Sequence, residues 1–425
     1  MAKMYKFDSG LTLFYEKNNI NIATSIEISF DCGANCDGKL PGLAHFCEHM
    51  FFTGTDKLSK QEVSKRYFDF IKVNAYTSRE EIVFTGNILT SKLSQYLTVV
   101  HDMICNSTFT PEAVEEEKKV VIQEIVQDAD QHSKHAAQIR KYDLYRLDEY
   151  KHKVLGTKES VNQIKSADVK RYIKKYFAKN NCYISICSPL SFGKVKSIIK
   201  KYFETLMPSS NLKPFKYGYE KLIDEECVDL HKVDIEKNFF SVTFKFDKNG
   251  PDLKYRVMLG LIGNIIDDFS DGLTKELRLD KGLVYSMGSD YMINRVNSYL
   301  AVYTEISSQN IKPCLDVITN YIKKVASTGF TKEQFIKELE KDEYYWQTRV
   351  ETPNNIMESL GKYRFYDKFI SDREIHEQVQ KTTLEEINQL IKELFSNAKI
   401  QVFAYGDADK KDMYTINQIK KKLSV

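Results

Sequence analysis

This 425-residue chain lacks the features that would place it in several large protein classes. No apolar stretch is long enough to cross a bilayer: the most apolar run, Val257–Ile266, is broken by Gly260 and Gly263 and followed by Asp267. The N-terminus, MAKMYKFDSG, has neither a hydrophobic signal region nor an Arg/Ser-rich presequence, so cytoplasmic residence is expected. An excess of charge of one sign is also missing. The 62 Lys and Arg nearly balance 59 Asp and Glu, leaving a formal charge of +3 with no long like-charge run, which argues against nucleic acid as a partner. The lysines near the C-terminus (Lys410, Lys411, Lys420, Lys421, Lys422) read as one solvated helix face. The 8 cysteines include no C-x-x-C pair and are too sparse for a disulfide framework, so buried or neutral free thiols are expected.

What remains is an ordinary globular composition, 42% hydrophobic and 28% charged. The length exceeds what one hydrophobic core usually serves, which predicts two domains. Leu11–Tyr15 and Thr24–Cys32 alternate polar and apolar residues as half-buried strands do, and a further strand is predicted through Ile82–Leu89. A helix over about 91–105 carries Leu93, Leu97, Val100 and Ile104 on one face. The next begins with Thr110 as N-cap and Pro111 at the first helical position, followed by Glu112, Glu115, Glu116 and Glu117, and runs to about Asp130. The linker-like text lies near the midpoint, so the expected domains are 1–208 and 221–425, joined by 209–220. Asn181–Leu206 and the segment from Ile400 onward both read as strand, turn and helix. The two domains are therefore expected to be copies of one α+β unit, each a mainly antiparallel sheet covered by helices.

The most informative residues are His45-Phe46-Cys47-Glu48-His49. Two imidazoles four residues apart share one side of a helix, and Glu48 borders that side. Cys47 lies well round the helix from both. Two neutral imidazoles with an adjacent carboxylate match two ligands of a catalytic zinc and a base for its water, and H-x-x-E-H is the inverzincin order. A third protein ligand is required. Glu117 and Glu124, two helical turns apart, share a face of the acidic helix; either could reach the metal and the other would then support a ligand. Val120, Val121, Ile122, Ile125 and Val126 predict that the segment around Glu124 is largely buried. His132 and His135 have no accompanying ligand cluster and read as exposed.

GLAHFCEHMFFTGT (42–55) followed by EKKVVIQEI (117–125) resembles the M16 metallopeptidases, the group of pitrilysin, insulin-degrading enzyme and mitochondrial processing peptidase. The likeness spans essentially the whole chain, whose length matches the half-size, M16B-like bacterial subunits. It implies that His45, His49 and Glu124 bind Zn2+, that Glu48 is the general base, and that Glu117 supports a ligand. NAYTSREE (74–81) resembles the family's substrate-binding edge strand, where Asn74 and Ala75 would pair with peptide backbone. The residues just before it, Phe68-Asp69-Phe70-Ile71-Lys72-Val73, depart from the glycines often found there. LRLDKGLVYS (277–286) resembles the arginine–tyrosine segment, so Arg278 and Tyr285 would lie across a cleft from the zinc and hydrogen-bond the substrate carbonyl and its oxyanion.

The resemblance also implies one half of a clamshell peptidase acting on unfolded peptides, with a leader peptide of a modified bacterial peptide among the candidate substrates. The second half would be another copy of the chain or an M16-like paralogue. A non-catalytic scaffold sharing the fold would have degraded ligands, and a structural zinc module would have four closed ones; neither matches these residues.

Overall fold

The computed structural model describes residues 2–19, 22–70, 72–142, 144, 151–212, 226–246, 252–293, 298–348, 353–361 and 370–423. They fall into two compact units. The first comprises Met1–Asp130, Leu147–Lys216 and Gln347–Asp372; the second comprises Gln131–Arg146, Tyr217–Trp346 and Arg373–Val425. Residues 213–220 of the expected linker lie outside the described residues. A single cut there would not separate the units, because one segment from each half of the chain belongs to the other half's unit.

The first unit contains a six-stranded sheet built from β1 (Lys3–Lys6), β2 (Thr12–Lys17), β3 (Ala23–Phe30), β4 (Val73–Thr77), β5 (Ile82–Leu89) and β6 (Cys182–Ser188), in the order β1-β2-β6-β3-β5-β4. Only β2 and β6 run parallel. The second contains β7 (Cys227–Lys232), β8 (Asn238–Phe246), β9 (Met287–Ile293), β10 (Ser298–Ile306) and β11 (Lys399–Gly406), in the order β7-β11-β8-β10-β9. There β7 and β11 are the parallel pair. Strand for strand, β2 to β6 and β7 to β11 repeat one topology, so the chain is a duplicated α+β unit with mainly antiparallel sheets.

Alternation along the strands assigns the faces. In β3, Ile26, Ile28 and Phe30 enter the first core, and in β8, Phe240, Val242, Phe244 and Phe246 enter the second. The polar face of β3 was expected in water, yet Ser25 is 0% and Ser29 2% exposed. The helix Pro353–Gly361, supplied from the second half of the chain, packs on β6, β3 and β2, and its Ile356 and Met357 cluster with Cys187. In the second unit the helix His132–Tyr142 lies against β8, with Ala136 among Phe239, Phe403 and Tyr405. Its Arg140 is 1% exposed and donates to Asp290 at 2.7 Å. On the same helix His132 is exposed, as expected, whereas His135 is half-buried near the Tyr405 ring.

The predicted helices Leu93–Asn106 and Pro111–Asp130 are present, and Thr110 caps the latter by accepting the Ala113 N–H at 3.2 Å. The apolar run 257–266 lies in a buried helix, Leu253–Ile266, whose Gly260 and Gly263 make room for the Tyr291 ring. No helix among the described residues is long and apolar enough to cross a membrane. All eight cysteines are free.

Candidate metal centre

The motif occupies a short helix, Leu43–Met50, and its two faces are set by periodicity. Leu43, Phe46, Cys47 and Met50, at spacings of three and four, are buried in the first core. Phe46 is fully buried, worth about 2–3 kcal/mol to the docking of this helix. That orientation turns His45, Glu48 and His49 the other way and leaves Cys47 facing the core. The helix start is fixed by two residues. Asp37 accepts the N–H of Gly42 at 2.6 Å and of Ala44 at 2.7 Å, and Gly42 holds a φ of 90° that an L side chain rarely adopts. A Cβ at Gly42 would also meet the Leu155 carbonyl at 2.7 Å.

The acidic helix, Pro111–Asp130, brings two carboxylates to this face. Oε2 of Glu124 lies 3.6 Å from Nε2 of His45 and 3.3 Å from Nε2 of His49. Each of the three residues offers an atom, and all these atoms lie within 4.8 Å of one another. A tetrahedral zinc with bonds of about 2.0–2.1 Å holds its ligands roughly 3.3–3.5 Å apart, close to both Glu124–histidine separations. Glu117 sits behind it: Oε1 is 3.0 Å from Nδ1 of His49, and Oε2 accepts from the Lys60 ammonium at 2.8 Å. The two glutamates thus occupy different positions about His49. Glu124 faces both imidazoles on their Nε2 side, and Glu117 engages the far nitrogen of His49.

The expected burial of the acidic helix needs correction. Glu117 is 6% exposed, but the Glu124 side chain is 43% exposed, with Val120 at 47% and Val126 at 40%. The apolar run wraps round the helix: Val114, Glu117, Lys118, Val121 and Asp128 are buried, Ile122 and Ile125 pack partly buried against the core, and Val120 and Val126 are left outside.

Electrostatics follow from these contacts. Burial, and then the neighbouring His49, pulls His45 down to about 4. Burial would lower His49 as well, but its bonds to Glu117 and Glu124 prevail and take it up to about 9. Burial opposes ionisation of Glu117, yet His49 and Lys60 hold its carboxyl below the usual range. Glu48 is 8% exposed, and burial raises its pKa. Its Oε2 accepts the Thr77 hydroxyl at 2.9 Å.

Thr77 ends β4, the strand that carries Asn74 and Ala75 and borders only β5 among the described strands. Bonds from Asn87 N–H to the Lys72 carbonyl and from Ser78 N–H to the Glu81 carbonyl, both 2.8 Å, set the phase of this edge. In an antiparallel pair such bonds join alternate residues, so Asn74 and Tyr76 bond to β5 while Val73, Ala75 and Thr77 turn their main-chain groups to the open side. Asn74 therefore differs from Ala75. Its carbonyl also accepts the Tyr67 hydroxyl at 2.8 Å, and its exposed side chain, not its main chain, is what it offers outward.

Arg278 and Tyr285 belong to the second unit, the triad to the first. The Arg278 guanidinium carbon lies 4.8 Å from the Tyr285 ring centroid and 5.0 Å from that of Phe269. Tyr285 is 80% exposed and Phe269 48%. Sequence reading had not singled out Phe269, Thr77, Lys60 or Asp37. None of the four carries a local signal; Asp37 lies five residues before Gly42, the N-cap of the motif helix.

The unit is an α+β one whose motif helix carries the inverzincin order H-x-x-E-H, with a carboxylate of a second helix beside it. Comparison with known proteins agrees. The family model described as "Insulinase (Peptidase family M16)" matches residues 13–158, and that described as "Peptidase M16 inactive domain" matches residues 163–341. The chain belongs to peptidase family M16, as a half-size member.

The chain is 24% identical over 409 residues to "Uncharacterized zinc protease YmxG" of Bacillus subtilis (strain 168), spanning 93% of this chain and 96% of that protein. It is 28% identical over 210 residues to "Probable mitochondrial-processing peptidase subunit beta" of Schizosaccharomyces pombe, 48% of this chain and 45% of that one. It is also 23% identical over 390 residues to "Non-peptidase homolog YmxG" of Helicobacter pylori, 89% of this chain and 88% of the relative. Among solved structures, a protease from Helicobacter pylori shares the fold with a TM-score of 0.85 at 16% identity, covering 96% of this chain and 99% of that one. A chain of Complex III2 from Candida albicans does so with 0.82 at 13% identity and full coverage of both, 100% and 100%.

Proposed function

We propose that this chain is a zinc-dependent endopeptidase that cuts unfolded peptides. The observation that carries the reading is the triad of His45, His49 and Glu124, gathered within 4.8 Å beside Glu48, a carboxylate outside the ligand set. Three protein ligands leave one position for water, the pattern of catalytic rather than structural zinc. Bound zinc would supply Lewis acidity, bringing a water's pKa to about 7 and polarising a carbonyl.

The chain's own residues do the rest. Glu48, its pKa raised by burial, is suited to take a proton from the attacking water and hand it to the leaving amine. Glu117 holds His49 through Nδ1 and so fixes which nitrogen faces the metal. The open main-chain groups of Val73, Ala75 and Thr77 can pair with an extended peptide, and Asn74 can add a side-chain contact. Arg278 and Tyr285 are assigned to hydrogen bonds with the substrate carbonyl and its oxyanion, where one donor is worth about 3–4 kcal/mol. The working assembly is assigned as a pair, either two copies or this chain with an M16-like paralogue.

Zinc content and cleavage measured on one preparation test this, with wild type beside Glu48→Gln. Both should hold about one zinc per chain, while the variant should lose about 10²–10⁴-fold in turnover. A Glu48→Gln chain cutting at a tenth of the wild-type rate would refute the base assignment. The Helicobacter pylori relative named a non-peptidase favours a second reading, a non-catalytic or partner-dependent subunit. That reading expects zinc without cleavage until a paralogue is added.

A further inference from the structure

Thr77 is the one residue of β4 whose side chain bonds the carboxylate assigned as the base. Its hydroxyl donates to Oε2 of Glu48 at 2.9 Å, and the phase of β4 turns the main-chain N–H and C=O of the same residue to the open edge. We propose that Thr77 is a positioning residue that ties the general base to the strand on which the peptide lies, so that docking and proton transfer share one reference point. This rests on the peptidase reading above.

The physical case has three parts. A glutamate side chain has several soft torsions, and a hydrogen bond to Oε2 removes the rotation that would exchange its two oxygens, leaving Oε1 as the oxygen free to meet water. Threonine suits the task because its branched Cβ restricts χ1, so the hydroxyl is held where the backbone puts it. The backbone there is fixed in turn: Tyr76 bonds into β5, and Ser78, the next residue, bonds to Glu81 at 2.8 Å. A peptide pairing with the open groups of Ala75 and Thr77 would therefore be one residue's width from the group that holds Glu48.

A bland alternative exists, in which the hydroxyl merely satisfies a carboxylate that is 8% exposed. The two differ in what removing the hydroxyl changes. If it only satisfies a buried group, its loss lowers stability and leaves the folded enzyme's turnover intact. If it positions the base, kcat falls while substrate binding and metal do not.

The test compares wild type, Thr77→Val, Thr77→Ser and Glu48→Gln for zinc content, thermal melting, kcat and KM, using a quenched-fluorescence library of unstructured peptides. Thr77→Val should keep its zinc, hold KM within about twofold, and lose roughly 10- to 100-fold in kcat, the scale on which small misplacements of a reacting group act. Thr77→Ser, which keeps the hydroxyl, should recover kcat to within about threefold. If valine prevents folding, Thr77→Ala replaces it with the same expectation. A hydroxyl-free variant with wild-type kcat overturns the inference alone, as does a serine variant as slow as valine. A wild-type chain that holds zinc and cuts none of the peptides, alone or with an M16-like paralogue added, overturns the peptidase reading and this inference with it.

Discussion

Glu117 Oε1 lies 3.0 Å from Nδ1 of His49, on the side of the ring away from Glu124, whose Oε2 is 3.3 Å from Nε2. One imidazole is thus held between two carboxylates, one at each ring nitrogen. The Lys60 ammonium, 2.8 Å from the other Glu117 oxygen, keeps Glu117 ionised and directed at His49.

The division of labour predicts unequal losses of metal. Glu124→Ala removes a proposed ligand and should leave the chain with little zinc after dialysis. Glu117→Ala removes only the group that orients a ligand, and should weaken zinc by about 10–100-fold without abolishing binding. Competition against a chelator of known affinity measures both. If Glu117→Ala loses the metal and Glu124→Ala retains it, the two assignments must be exchanged.

A second prediction concerns stability of the second unit. Arg140, 1% exposed, meets Asp290 at 2.7 Å, Thr243 at 3.4 Å and the Tyr299 ring at 5.7 Å, while Lys141 reaches the same Asp290 oxygen at 3.0 Å. Asp290→Asn leaves the buried guanidinium without its anionic partner and should cost about 1–3 kcal/mol. Burial opposes ionisation of Asp290, but Lys141 and Arg140 prevail and depress its pKa. A depressed folded pKa contributes stability that is complete above the unfolded value, about 3.9, and is lost as pH falls through the folded one. Wild type and variant should therefore differ in denaturant midpoint at pH 7, by an amount that shrinks as pH falls below about 3.9. Equal midpoints at pH 7 would show that the pair stabilises nothing.

The parts of the site that sequence made legible are those written in helical period. His45 and His49 share a face because four residues return to one azimuth, and the same rule places Leu43, Phe46, Cys47 and Met50 in the core. Strand β5 was legible to its ends because Ile82–Leu89 is bounded by polar and turn residues on both sides. What could not be read depends on chain folding back from afar. Ser25 and Ser29 look like the wet face of a strand until a helix more than three hundred residues later covers them. Thr77 lies 29 positions from Glu48, and nothing in the intervening residues announces the bond. Burial of Glu124 was overestimated because an apolar run on a helix says how much surface wants cover, not that every side receives it.

The last prediction addresses the wall assigned to Arg278 and Tyr285. Their side chains contact each other in the unit that lacks the triad, so Tyr285→Phe and Arg278→Ala should lower kcat and leave zinc occupancy unchanged. If the wall facing each metal comes from a second copy of the chain, two dead variants can rescue one another. In a mixed dimer of Glu48→Gln with Tyr285→Phe, one site carries both defects and the other carries none. Random exchange in an equal mixture makes half of the dimers mixed, each with one intact site of two, so the signal should approach about a quarter of wild type. Mass spectrometry of the mixture, with one variant isotopically labelled, verifies that subunits have exchanged. An exchanged mixture that stays inactive would rule out a wall supplied by a second copy, leaving both pieces within one chain or a different partner as its source.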